Sequence, residues 1–405
     1  MLKSSVLLCK YFKVLFNLLL IICVFDPADL VFRLKMPLFI LCLFVFLLDY
    51  KNLKINKYPK TIFLINIIFL LIPIISLSFY FIDNLALPEN GFNLYKGYLL
   101  VILSILLFHF NLNCIKSFSI ILNFLSFLII LVYFIVKTFP EYYNIIYLWG
   151  LKYQIFLIGE RVYDIELEGI WSIYFVTSPL LVIPIAYYTN SYVNNNSFKV
   201  LLILFLNIFA MFIAGTRNNM FTSILVPFLI FLYYSKKKNI FIFFSLIGLF
   251  AFIYLNIDTI TAMFSLNEPS NATKYGLLGD YYNIFNSPRN LLIGQGFGAN
   301  YFWESRGKFD FVTELTYLEI IRNFGLILGF ILLICIFYPI IYAIKNKKNY
   351  YIFYLLVAYS FYLFMSANNP IFFMSMGMLF FPIVLSNTFM HFNEDKTHSN
   401  LYNFK

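Results

Sequence analysis

The stretch VLLILFLNIFAMFIAGTRNNMFTSILVPFLIFLYY, residues 200–234, decides the fold. It carries one charge, Arg217, and is close to twice the about 20 apolar residues that cross a hydrocarbon core of roughly 30 Å as a helix. Two spans joined at AGTRNN is the reading this predicts. A guanidinium between two membrane-length segments is costly unless something negative meets it. Arg217 is therefore the first candidate for function.

The rest of the chain agrees with that stretch. Of its 405 residues, 62% are hydrophobic and 12% charged, and the mean hydropathy is +0.83, which excludes a set of soluble domains. The expectation is an all-α integral membrane protein, one polytopic unit over residues 1–405 with about twelve transmembrane helices. The spans fall near 9–25, 36–50, 61–82, 96–110, 117–138, 170–188, 199–215, 219–234, 239–256, 323–343, 350–367 and 370–389. Lysine runs at 51–60, 236–238 and 345–348 fall on one side when the spans alternate, so both termini are expected in the cytoplasm. On that scheme 16 of the 19 acidic residues lie outside, and the net charge of +10 reports topology rather than nucleic-acid binding. Five cysteines without metal spacing read as packing residues.

The six arginines, Arg33, Arg161, Arg217, Arg289, Arg306 and Arg322, all map to the outer face. Where any cation serves, this chain uses lysine. Arginine is kept for places where a planar fork of donors meets phosphate or carboxylate oxygens.

Two outer segments are long enough to build a site, residues 139–169 and the large loop 257–314 between the ninth and tenth spans. In the first, Asn144 to Ile158 is apolar and aromatic but too short to cross, which predicts a helix lying in the interface. Arg161 follows it between Glu160 and Asp164, and a local ion pair and a substrate contact both stand as readings. The second carries IGQGFGAN, whose Gly294, Gly296 and Gly298 allow either close approach to a ligand or a flexible turn. Arg289 precedes this run, and Asn300, Trp303, Glu304 and Arg306 follow it. Glu314 and Arg322 are eight residues apart, within about 80° on a helix wheel and roughly 12 Å along the axis, so one ligand spans both. The competing reading for Arg322 is an i,i+3 pair with Glu319.

Taken together, AGTRNNMFTSILV, LLIGQGFGANYF and ELTYLEIIRNFGLILGF resemble, in that order, three motifs of the O-antigen polymerase and O-antigen ligase superfamily of bacterial membrane glycosyltransferases. The likeness covers mainly residues 160–345. It places Arg217 at the motif arginine, Arg161 at the arginine of the earlier periplasmic loop, and Glu314 where the ligases carry a histidine. None of the three histidines, His109, His391 and His398, maps to an outer loop, which favours the polymerase over the ligase.

The resemblance implies oligosaccharide repeats on undecaprenyl diphosphate as substrate, in the bacterial inner membrane among its lipids, with a chain-length regulator as a protein partner. It implies no cofactor, no metal and no nucleic acid. On it Arg217 stabilises the diphosphate leaving group and Glu314 takes the proton of the attacking sugar hydroxyl. Arg161, Arg289 and Arg322, with Gly294, Gly296, Gly298 and Asn300, are expected to bind substrate. The alternatives are a ligase that moves glycan to lipid A-core or another acceptor, and a flippase, whose charges should line a path through the membrane midplane.

Overall fold

The computed structural model describes residues 2–49, 58–83, 88–161, 170–234, 265, 269–346, 352–373 and 375–402. Ten helices and a hairpin come first: α1 Leu2–Phe25, α2 Lys35–Leu48, α3 Lys60–Asp83, α4 Pro88–Leu99, α5 Leu103–His109, α6 Ile115–Thr138, α7 Tyr143–Tyr153, strands β1 Phe156–Arg161 and β2 Ile170–Phe175, then α8 Val182–Asn195, α9 Phe198–Ile213 and α10 Arg217–Tyr234. After them lie α11 Pro269–Phe285, α12 Pro288–Leu292, β3 Tyr301–Trp303, β4 Lys308–Asp310, α13 Thr316–Asn346, α14 Phe353–Ala367 and α15 Ser375–Tyr402.

The fold is helical. Five described segments are long and apolar enough to cross a membrane: Val6–Phe25, Lys60–Ser78, Glu89–His109, Ile115–Thr138 and Thr316–Lys345. Lys35–Leu48, Phe198–Ile213, Phe353–Ala367 and Ser375–Met390 are shorter apolar helices. Helix α8 packs against α6, α9, α10 and α14, while α15 packs along α4 and α5. Large apolar side chains such as Phe44, Phe124, Phe205 and Phe330 point outward from this bundle, an arrangement that suits lipid better than water. At one end His109 joins three segments, with Nε2 2.9 Å from Asp49 Oδ2 beyond α2 and Nδ1 bonded to Tyr58 ahead of α3. Burial, aided by the Asp49 carboxylate, pushes the Tyr58 phenol up to about 12.

The expected spans and the helices coincide closely at 36–50, 61–82, 117–138, 199–215 and 219–234. The expected span 239–256 lies outside the described residues. The span expected at 170–188 is not one helix. Its first six residues form β2, which pairs antiparallel with β1 in the register Phe156↔Phe175 through Arg161↔Ile170. The reason is a period-two pattern inside an apolar run: Phe156 and Ile158 are buried while Leu157 is exposed. For the same reason the interfacial helix expected over 144–158 ends at Tyr153. Gln154 turns left-handed there (φ 52°), and the chain enters β1.

The large loop is also ordered where it is described. Helix α11 carries a small core of Leu277, Tyr281 and Ile284 that closes on Trp303. From there the chain reaches α13, which bends at Gly325 (φ 72°, ψ 174°). A Cβ on Gly325 would lie 2.2 Å from the Leu292 carbonyl, and one on Gly294 would lie 2.6 Å from the Gly325 nitrogen. Loop and helix thus meet backbone to backbone, which only glycine permits. At the bend the Asn323 carbonyl accepts from Ser76 Oγ of α3 at 2.6 Å.

Candidate functional site

Arg217 and Glu314 line one cavity of ≈ 350 Å³. Five parts of the chain build it. The β1–β2 hairpin supplies Ser172 and Tyr174, the start of α10 supplies Thr216 to Asn218, α11 supplies Ser270 and Lys274, and the ends of two helices supply Glu314, Asn368 and Asn369.

Local sequence explains each wall. Gly215 has φ 70°, and a Cβ there would sit 2.2 Å from the Ser172 Cβ, so glycine lets β2 abut the head of α10. Thr216 then caps that helix, its Oγ1 accepting from the Asn219 amide at 3.2 Å. Asn219 in turn donates through Nδ2 to Ser178 Oγ at 3.2 Å, which fixes the helix start against the turn after β2. Arg217 follows as the first helical residue. The dipole of the helix head adds to its positive field.

Next to Glu314, Thr316 Oγ1, in the first turn of α13, donates to the Asn369 carbonyl at 2.8 Å. Glu314 and Asn369 are thereby held together. Glu314 Oε1 accepts from Arg306 Nη2 at 2.9 Å, and its side chain is 37% exposed. The cavity thus joins a carboxylate, two cations and neutral amides and hydroxyls. Such a set has the chemistry to hold an anion with cations, to orient polyhydroxylated groups with amides and hydroxyls, and to accept a proton on a carboxylate.

The other expected site residues lie elsewhere. Arg322 is fully buried and does not reach the cavity. Its Nε donates to both oxygens of Glu319 at 3.1 Å, its Nη1 to Gln295 Oε1 and the Ala299 carbonyl at 3.0 Å, and its Nη2 to the Phe311 carbonyl at 2.9 Å and to Glu319 Oε1. The Trp303 ring lies 5.5 Å from its Cζ. Every donor is used inside the protein, so the expectation that Arg322 binds substrate is corrected to its rival, a pair with Glu319. Tyr281 completes the knot by donating to Glu319 Oε2 at 2.6 Å. Burial and the Glu319 carboxylate push the Tyr281 phenol far above its ordinary range, so it remains a donor.

Gly294, Gly296 and Gly298 are buried at φ 88°, 100° and 81°. They do not line the cavity, and for two of them the expected ligand approach is corrected to backbone packing: Gly294 lies on Gly325, and a Cβ on Gly298 would stand 2.5 Å from the Gly91 nitrogen. Asn300 Oδ1 accepts from Asn90 Nδ2 at 3.2 Å and serves the same junction. Arg289 is exposed on α12, away from the cavity. Arg161 ends β1, and its side chain lies outside the described residues.

Sequence reasoning missed Lys274, Asn368 and Asn369. The signal for the asparagines is SANNP, two amides ahead of a proline between apolar runs, on the face where the arginines had been placed. Comparison with protein-family profiles, with curated proteins and with solved structures finds no match to this chain.

Proposed function

We propose that this protein is a multi-pass glycosyltransferase of the bacterial inner membrane that polymerises lipid-linked oligosaccharide repeats on the outer face. One observation carries the reading: Arg217 and Glu314, picked from separate motifs far apart in the chain, share the wall of one cavity. The growing glycan passes from undecaprenyl diphosphate to a hydroxyl of the next lipid-linked repeat. As the anomeric carbon–oxygen bond to the diphosphate breaks, Arg217 holds the charge gathering on the phosphate oxygens. Glu314 takes the proton of the attacking hydroxyl, and a glycosidic bond forms.

Arg217→Lys tests the first role, because lysine keeps the charge and loses the fork. The expected result is normal protein abundance with polymerisation reduced about 10²-fold, in the range for removing one donor to a developing oxyanion. Normal glycan chain lengths in that strain would sink the diphosphate role. A deletion strain separates the rivals on a gel of surface glycan: a single repeat on its acceptor marks a polymerase, full-length glycan left on the carrier a ligase, and no repeat outside a flippase.

The topology belonging to this reading has about twelve spans, both termini in the cytoplasm and residues 139–169 and 257–314 in the periplasm. Cysteines placed at 275 and 237 in a background without native thiols should label from outside at 275 alone. Labelling at 237 and not at 275 in intact cells overturns the orientation.

A further inference from the structure

We propose that Arg306 is a positioning residue that fixes Glu314 for proton removal, an inference that rests on the reading of Glu314 as the base. Glu314 stands ahead of α13 with its side chain partly exposed, so its own segment restrains the carboxylate little. Arg306 supplies the restraint. Its Nη2 donates to Oε1 at 2.9 Å, and among the described residues no hydrogen bond reaches Oε2. One oxygen is held and the other is left for a sugar hydroxyl.

The guanidinium can do this because the fold fixes where it stands. Arg306 belongs to the 304–306 turn that joins β3 to β4, and Gly307 (φ 61°) closes that turn with its amide 2.8 Å from the Trp303 carbonyl. Next to Arg306, Ser305 donates its amide at 3.2 Å and its hydroxyl at 2.5 Å to Asp280 Oδ2 of α11. Trp303 is buried, and its Nε1 donates to the Asp310 carbonyl across the hairpin at 3.1 Å. Asp310 competes weakly for Arg306: its carboxylate lies 4.0 Å from Nη1 and is paired with Lys308 Nζ at 3.0 Å. The fork is thus aimed from a rigid turn at Glu314.

The experiment is a double-mutant cycle of Arg306→Gln and Glu314→Gln, read on purified full-length protein with lipid-linked repeats. Arg306→Gln should lower kcat about tenfold or more and leave KM within about twofold, since the base contributes to turnover rather than to binding. In the Glu314→Gln background the same change should cost less than about twofold, because the carboxylate it positions is gone. Equal losses in both backgrounds, or a loss confined to KM, would overturn the positioning role while leaving the base role standing. Near-normal turnover of Glu314→Gln alone removes the base role and the positioning role with it. If Arg306→Gln fails to fold, Arg306→Lys keeps the charge without the fork and should show a smaller kcat loss with the same non-additivity. Additive losses there overturn the proposal equally.

Discussion

An Arg322→Met protein is expected to lose about 3–5 kcal/mol of stability, the cost of breaking a buried ion pair by removing one partner. The side chain packs with no exposure among Trp303, Phe311 and α13, and among the described residues it is the one cation paired with Glu319, which is equally buried. Methionine fills part of that volume, but it strands a carboxylate and leaves the carbonyls of Ala299 and Phe311 without their donor. The loss should appear as a lower melting temperature of the detergent-solubilised protein. Adding Glu319→Gln should recover a large part of it, because an amide tolerates the site uncharged and accepts from Tyr281. A single mutant that melts within a degree or two of the parent would mean that the knot relaxes around water, and Arg322 would return to the substrate-binding candidates.

Glu314→Gln should lower turnover by about 10²–10⁴-fold, the usual contribution of general base catalysis. The substitution keeps size and hydrogen bonding and removes only the proton acceptor. Arg306 can still donate to the amide oxygen, so the wall of the cavity persists and substrate binding should hold. On the proposed polymerase reading, the expected result in cells is single repeats in place of a ladder of long chains. On purified protein, a glutamine variant with near-normal turnover would exclude the base role and leave Glu314 as a group that orients sugar hydroxyls.

Helix existence was written in apolar runs, and those runs do form helices at 60–83, 115–138 and 198–213. The β1–β2 hairpin was hidden because Phe156–Ile158 and Ile170–Phe175 are as apolar as the spans beside them, and only the alternation of Phe156, Leu157 and Ile158 distinguishes a strand. At the candidate site, Arg217 stood out because a charge among apolar residues is conspicuous, and Glu314 because it stands where the resembled ligases carry a histidine. Arg322 stood out through its eight-residue spacing from Glu314, yet its partner was three residues away. Sequence spacing alone could not decide between Glu319 and a ligand. Lys274 is one lysine in a chain full of them, and Asn368 with Asn369 carries no charge. Such groups gain meaning only when the fold brings them to a shared cavity.

Gly325 has one more consequence, for how the chain is handled while it is being made. A straight helix from Thr316 to Asn346 would present the insertion machinery with an overlong rod bearing Glu319 and Arg322. The break leaves Leu326 to Lys345 as the segment beyond it, about 20 residues and about 30 Å long, the thickness of a bilayer's hydrocarbon. Glu319, Arg322 and Asn323 belong to the turns before the break, where α11 and the 295–311 loop wait to receive them. In the folded structure neither charge lies in the segment beyond the break, and that segment has the length of one ordinary membrane span.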